Sequence, residues 1–598
     1  MQTAETLLTV INDRGQRGLP MDRIYRQLFN KELWLRAYHR LAKNEGAMTR
    51  GATAETADGM SERKIEEAIR RLRNERHEWT PVRRVLIPKG DGKTRPLGIP
   101  TWSDKMLQEV MRSIMEAYYE PQFSPNSHGF RPGKGCQTAL KDIFVAWTGT
   151  KWFVEGDIKG CFDNIDHSIL LQTLGEKIHD GRFLNLVNNL LTAGYLEDWK
   201  YRPTLSGTPQ GGIISPLLAN IYMDRLDKFV EETLVPEFTR GKAKRKYTRE
   251  YQRLANAINR FPEGGSVETL LTLKREKART KCRDPFDPEY RRLRYIRYAD
   301  DFLLGLAGTK DEAKEIKERI GEFLRDHLKL ELSPEKTLIT HAGSEQARFL
   351  GYGITVPNGP FFRGASVKLR IPIQKLEEKI ARYTRDGKPI HRPEMLSESD
   401  FDIIARYGSE YRGITGYYAV AVNRGWLHRL RRVLELSMLK TLAGKHKSSV
   451  AKMARKYRSI TLAGGKWMRC YMATIPRPGK DPLFARCLGI SLKRQPYSDI
   501  IDRPESPTHN YNLRSELITR LLAEKCEACG STENIEVHHV RKLADLQVKG
   551  QKEIPLWKKR MISRCRKTEV LCRHCHDALH RGEDPRGNVK ARNGRSMT

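Results

Sequence analysis

Nowhere in the 598 residues does an apolar run approach the ~18 needed for a helix to cross a bilayer. A membrane partner is therefore not expected. Met1-Gln2-Thr3-Ala4-Glu5-Thr6 lacks the charged start and long apolar stretch of a secretory leader, so none is expected. Cysteine is sparse, at ten residues, which argues against a disulfide scaffold and for a cytoplasmic protein. Acidic residues fall short as well, with 73 Asp and Glu against 108 Lys and Arg, leaving a formal charge of +35 and a pI near 9.8. A merely soluble charged surface or attraction to anionic lipid would each account for bulk charge. The basic residues are spread along the whole length, however, and that distribution favours an extended nucleic-acid surface. A hydrophobic content of 39% is enough for packed cores, and the length allows roughly three to five domains.

The chain is organised around Tyr298-Ala299-Asp300-Asp301. Leu293–Arg297 before it alternates as a strand does, and Phe302–Leu306 after it reads as a second, apolar strand. Asp suits a tight turn, so the pattern predicts a hairpin holding two carboxylates side by side. Such a pair is tolerable when one acid is protonated or a cation lies between them, and a solvated Asp-Asp turn is the plainer alternative.

Residues 1–80 read as helical and basic. Ser61 caps a helix with Ile65, Ile69 and Leu72 on one face and Pro81 at its end. Val82–Pro88 follows as a strand, then a turn through Lys89 and Lys93 to Arg95; these cations could grip a triphosphate or simply decorate a solvated hairpin. Trp152–Ile158 reads as a buried strand with Asp157 near its end, costly to bury unless a cation shared with Asp300 offsets it. Ser206–Gly212 is a Gly-rich loop leading into a helix from Pro216 to Leu226. Residues 228–292 form a charged, helical insert, and 310–327 a further helix. Leu328–Leu332 is expected as a strand, and Phe349-Leu350-Gly351-Tyr352 as the last one. Beyond residue 365 the composition turns helical and basic. Leu427, Leu430, Leu434 and Met438 recur at helical spacing for packing, among Arg424, Arg429, Arg431 and Arg432 on faces free to meet phosphate. Residues 476–507 are punctuated by prolines and read as a linker or a small DNA-binding segment.

Near the end, Cys526-x2-Cys529 and Cys572-x2-Cys575 have the spacing of a tetrahedral Zn²⁺ site, with an unusually long insert between the pairs. Within and beyond the insert come His538-His539, then His576 and His580, which could hold a second metal.

An acid on one strand, a Pro-Gln-Gly loop, a Tyr-Ala-Asp-Asp hairpin and a Leu-Gly-Tyr segment in that order resemble a reverse transcriptase. Gly46–Thr49, Arg95–Pro100, His128–Pro132 and Asp163–His167 narrow the resemblance to the group II intron-encoded reverse transcriptase-maturases, over residues 40–360. Tyr411–Tyr418 and Lys440–Lys447 resemble the maturase thumb, or domain X, and the tail resembles an HNH endonuclease of the ββα-metal kind. The resemblance implies an α+β multidomain protein: a right-hand fingers and palm with an antiparallel sheet, a helical thumb, and a zinc-bearing nuclease. Its boundaries are expected at 1–80 for the N-terminal extension, 81–360 for fingers and palm, 361–475 for the thumb, 476–510 for the linker and 511–598 for the nuclease.

The implied activities are RNA-directed DNA synthesis, maturase-assisted splicing of the intron RNA, and cleavage of target DNA; a retron or CRISPR-associated reverse transcriptase with no splicing role is the alternative. Asp157, Asp300 and Asp301, with the carbonyl of Ile158, would hold Mg²⁺, two such ions serving an in-line displacement. Lys89, Arg95, Gln210 and Lys336 would contact nucleotide, template or primer, and Phe162 would exclude a 2′-hydroxyl, so that dNTPs are selected. Arg429, Arg431 and Arg432 would contact RNA. In the tail, His539 would be the general base, with His538, His576 and His580 holding a metal, Mg²⁺ being expected there too. The sequence departs from the nuclease pattern at its central asparagine, where Arg566-Lys567-Thr568-Glu569 stands instead. The protein would work in the cytoplasm, on the nucleoid when bound to DNA.

Overall fold

The computed structural model describes residues 2–496, 516–540 and 568–583, less short breaks at 91–92, 205, 209–210, 243, 281, 285–286, 288, 358–365, 478–479 and 582. At its centre lies a five-stranded sheet in the order Ser127–His128, Arg292–Tyr298, Asp301–Ala307, Trp152–Asp157, Ile339–His341. All neighbours are antiparallel except the first pair, where Ser127–His128 runs parallel to Arg297–Tyr298 and departs from the all-antiparallel expectation.

Strand alternation puts this sheet between two cores. Val154, Phe302, Leu304 and Leu306 face one that is built with the N-terminal helices and Ser215–Lys228. Phe153, Ile296 and Leu303 face the other, shared with the helices beyond residue 370. Gly156 lies opposite Phe302, whose ring stands 2.0 Å from where a Cβ would be, so a side chain there would displace the ring.

On the N-terminal side, Ser61 caps the helix Glu62–Arg73 by accepting from the Lys64 N–H, and Ile65, Ile69 and Leu72 are buried as their spacing requires. The helix stops at Arg73, well short of Pro81. A second sheet orders Lys93–Ile99, Val82–Gly90, Tyr195–Glu197 and Lys200–Arg202.

Three local readings change. The expected strand at 328–332 is not one: Leu328 ends the helix Lys310–Leu328, Lys329 turns left-handed at φ 48°, and Leu332 alone bridges to Ile158. Leu350-Gly351 is the turn of a hairpin between Ala347–Phe349 and Tyr352–Thr355, both residues at positive φ, rather than part of a strand. The proline-punctuated stretch begins as structure. Its first part completes a three-stranded sheet, Arg458–Ala463, Lys466–Arg477 and Lys480–Leu488, with Pro482 on an edge strand, where a missing N–H is tolerated. Before this sheet stand the helices Ile373–Ala381, Asp400–Tyr417, Leu427–Lys445 and Val450–Tyr457.

The C-terminal unit pairs Ile535–His539 with Thr568–Cys572 and continues into the helix Arg573–His580. Ile518, Leu521, Val537, Val570 and Leu571 belong to the same core as the N-terminal helices.

Candidate active sites

The hairpin register places Asp157 directly opposite Asp301 on adjacent strands, and Tyr298 opposite Asp301 on the other side. Ala299, at φ 56°, turns the chain so that Asp300 also comes to this end of the sheet. Burial raises the carboxyl of Asp300, and the nearby charge of Asp157 adds to it. Asp301 is pushed up to about 7 by burial, then by Asp300 and Asp157. Lys336 donates to Asp157 Oδ2 at 2.8 Å, and that hydrogen bond is the chief reason its ammonium is held above the usual range. Arg95, on an exposed strand, is close enough for its charge to act on Asp300. Three acids sharing one negative patch fit hard cations.

Phe162, on the short helix Cys161–Asn164, is half-buried and meets the Phe130 ring edge-on at 6.3 Å. The Gly-rich loop closes over its backbone: Thr208 N–H donates to the Phe162 carbonyl at 2.8 Å. Gly207, at φ 84°, sits so near Asp163 that a Cβ would lie 2.6 Å from its carbonyl oxygen. Ile158 is buried. Gln210 lies outside the described residues, as does the side chain of Lys89 on the strand Val82–Gly90.

Beneath the hairpin lies a residue that sequence reading missed. The Arg297 guanidinium is fully buried. It donates to both carboxylate oxygens of Asp227 at 2.8 and 2.6 Å, to Asn220 Oδ1 at 3.1 Å, to Ser127 Oγ at 2.8 Å and to the Ala299 carbonyl at 2.8 Å. It ties the turn bearing the acids to the helix Ser215–Lys228. No pattern along the chain links Arg297 to Asp227, although a cation immediately before the Tyr-Ala-Asp-Asp turn is a usable signal.

In the C-terminal unit, the four sulfurs of Cys526, Cys529, Cys572 and Cys575 lie within 4.8 Å of one another. Tetrahedral Zn–S bonds of about 2.3 Å imply sulfur separations near 3.8 Å, and Cys529 and Cys572 stand 3.7 Å apart. This thiol cluster fits zinc. A second cluster joins His538, His576 and His580 with Asp58, from the N-terminal segment. His539 is buried, and that desolvation lowers its imidazole to about 4, so it is neutral near pH 7. Its Nε2 lies 2.7 Å from the Tyr38 hydroxyl. Burial opposes a charge on His576, but Asp58 and Glu536 outweigh it and push the imidazole up to about 9. At the position of the missing asparagine, Thr568 pairs with His539 across the sheet and receives Arg520 on its carbonyl at 3.2 Å.

Leu427, Leu430, Leu434 and Met438 are fully buried. Arg429 and Arg432 are exposed and Arg431 half-buried. Arg424 differs from expectation: it is buried and donates to the carbonyls of Thr415 and Lys493, so it serves packing and does not face phosphate.

Residues 87–354 match the family model of the reverse transcriptase (RNA-dependent DNA polymerase), 365–467 that of the type II intron maturase, and 526–576 that of the AI2M/AI1M-like HNH endonuclease. Across 96% of the chain, and 99% of the relative, it is 40% identical to the group II intron-encoded protein LtrA of Lactococcus lactis subsp. cremoris. This chain belongs to the group II intron-encoded proteins. It is a multifunctional member, with reverse transcriptase, maturase and HNH endonuclease domains in one polypeptide. The intron-encoded protein is also 32% identical to the putative COX1/OXI3 intron 1 protein of Saccharomyces cerevisiae, over 93% of this chain and 68% of that one. A shorter relative, protein YkfC of Escherichia coli, is 33% identical over 56% of this chain and 83% of its own length. The maturase match sets aside a retron or CRISPR-associated enzyme without a splicing role.

Proposed function

We propose that the five-stranded sheet is the palm of a right-handed polymerase, with fingers from the sheet around Val82–Ile99 and a thumb from the helices beyond residue 370. Domain limits near 80 and 360 suit this reading. The thumb's end moves from 475 to about Leu488 because Lys466–Arg477 and Lys480–Leu488 pair as one sheet, and the limit at 510 lies outside the described residues. Asp157, Asp300 and Asp301 hold Mg²⁺ there, with the Ile158 carbonyl. When bound, such ions stabilise the attacking and leaving oxygens of phosphoryl transfer, as zinc in the thiol cluster stabilises the nuclease fold. Lys336 is ion-paired with Asp157 and so lies at the same end of the sheet, where a nucleotide phosphate belongs. Arg95, Lys89 and Gln210 contact the dNTP or template, and Phe162 crowds the sugar 2′ position. Arg429, Arg431 and Arg432 bind intron RNA from the thumb.

In the tail, neutral His539 accepts a proton from water at Nε2 during cleavage of target DNA. His538, His576 and His580 hold a divalent ion. Their three imidazoles suit a first-row transition ion better than the Mg²⁺ expected from sequence, because nitrogen donors favour softer cations. The protein acts in the cytoplasm as a complex with its intron RNA, and on the nucleoid when it engages DNA.

The observation that carries the polymerase reading is the register of Asp157 against Asp301, which with Asp300 gathers three carboxylates at one sheet end. Asp300→Asn replaces a charged ligand with a neutral amide. It is expected to abolish primer extension on a primed RNA template while RNA affinity stays within about twofold, a change of less than ~0.5 kcal/mol. Undiminished extension by this variant sinks the assignment.

A further inference from the structure

We propose that Asp58, on the N-terminal segment, is the fourth protein ligand of the nuclease's divalent ion, so that ion binding clamps the nuclease onto the polymerase's N-terminal region. The inference rests on reading His538, His576 and His580 as that ion's nitrogen ligands. Their Asp58 contacts are direct. Asp58 Oδ1 lies 3.2 Å from His576 Nε2 and 3.5 Å from His538 Nδ1, and Oδ2 lies 2.8 Å from His580 Nε2. The two Nε2 atoms of His576 and His580 are 3.1 Å apart. Metal–nitrogen and metal–oxygen bonds of about 2.0–2.2 Å around a tetrahedral ion give ligand separations near 3.3–3.6 Å, close to the 2.8–3.5 Å seen here.

The surrounding groups orient this donor set. Glu536 Oε2 sits 3.0 Å from His576 Nδ1, which leaves Nε2 as the coordinating nitrogen, the usual arrangement around a metal-bound imidazole. The backbone of Asp58 is placed as firmly. Gly59 N–H donates to the Val537 carbonyl and Val537 N–H to the Met60 carbonyl, both at 2.9 Å, so an antiparallel bridge at Met60 fixes the turn bearing Asp58 against Ile535–His539. The His539 N–H donates to Asp58 Oδ1 at 2.7 Å. Ala57, Met60 and Val537 are buried. The carboxylate is only 14% exposed, in keeping with an inward-facing ligand and not a solvated acid.

A consequence concerns access. Asp58 would take a coordination position that a phosphodiester oxygen could otherwise fill, and the Tyr38 hydroxyl stands 2.7 Å from His539 Nε2, where the attacking water would bind. The docked arrangement is then the resting form of the nuclease, and cleavage requires Asp58 to leave the histidines and Tyr38 to leave His539 Nε2.

The test uses full-length protein with the thiol cluster zinc-loaded, titrated with Co²⁺ and read by the intense visible bands of a four-coordinate ion. Hydrogen exchange at residues 58–60 is followed in parallel. The expected result is that wild type takes up Co²⁺ with these bands and gains protection at 58–60. Asp58→Asn should weaken Co²⁺ binding by about tenfold or more and lose the metal-dependent protection, with zinc content and primer extension unchanged. Should the Asn variant lose zinc or fold poorly, Asp58→Glu keeps a carboxylate and is expected to retain the bands at intermediate affinity. Wild-type Co²⁺ affinity in Asp58→Asn, or loss of the bands in a folded Asp58→Glu, overturns the inference. His576→Ala separates the two readings. If it weakens Co²⁺ and Asp58→Asn does not, only the role of Asp58 fails; if neither weakens it, the histidine site itself is wrong.

Discussion

Phe162 presents a half-buried ring beside Phe130 at the same end of the molecule as the three acids, on a helix pinned by the loop that carries Thr208. A ring that crowds a sugar 2′ position discriminates by volume alone. Trimming it to Ala or Val is therefore expected to raise incorporation of rNTP relative to dNTP by roughly ten- to a hundredfold on one template. An unchanged ratio identifies Phe162 as a packing residue. A second residue-scale effect is a pH response away from either site. His77 packs edge-on against Trp79 at 4.7 Å, and burial, then the charge of Arg71, lowers its imidazole to about 4. Its unfolded value is near 6.5. The folded state binds the proton more weakly, so the stability contributed by neutral His77 is complete above pH ~6.5 and is lost as pH falls through 4. Thermal unfolding of wild type and His77→Gln should then differ less at pH 4.5 than at pH 7, the wild type having lost about 2 kcal/mol of its advantage over that range. A difference that stays constant across this range contradicts the assignment.

Among the elements, those with a strong period were legible in the chain and those set by distant partners were not. The stripe Leu427, Leu430, Leu434, Met438 announced the helix Leu427–Lys445, and every member is buried. The Tyr298–Asp301 hairpin was equally clear because an alternating strand and an apolar one flank a turn that only Asp and Ala occupy. Leu328–Leu332 alternates apolar and charged residues as a strand does, but Leu328 completes the preceding helix and no neighbouring strand pairs with more than Leu332. Arg424 resembled its neighbours in sequence, yet the turn before the helix aims it inward at two carbonyls. The remaining arginines of that helix make a prediction of their own. Changing Arg429, Arg431 and Arg432 to Gln should weaken RNA binding and reduce the steepness of log affinity against log salt by about 2, since fewer counterions are released. A slope equal to that of wild type places these arginines away from the RNA.

On the scale of the whole molecule, two chemistries occupy two separate ends of one chain. The thiol pairs and the histidines could be read from spacing. Their contact with Asp58 and Tyr38 could not, because those partners lie about 500 positions earlier and only folding brings them together. The C-terminal unit therefore shares a core with the N-terminal helices, and its histidine cluster includes Asp58 from that N-terminal region. If the sites are chemically independent, damage to one leaves the other working. The most direct measurement is a side-by-side assay of His539→Ala for nicking of double-stranded target DNA, primer extension on RNA, and zinc content. The account predicts loss of nicking with extension and zinc at wild-type levels. Continued nicking, or the loss of nicking and extension together in a protein that retains its zinc, would contradict it.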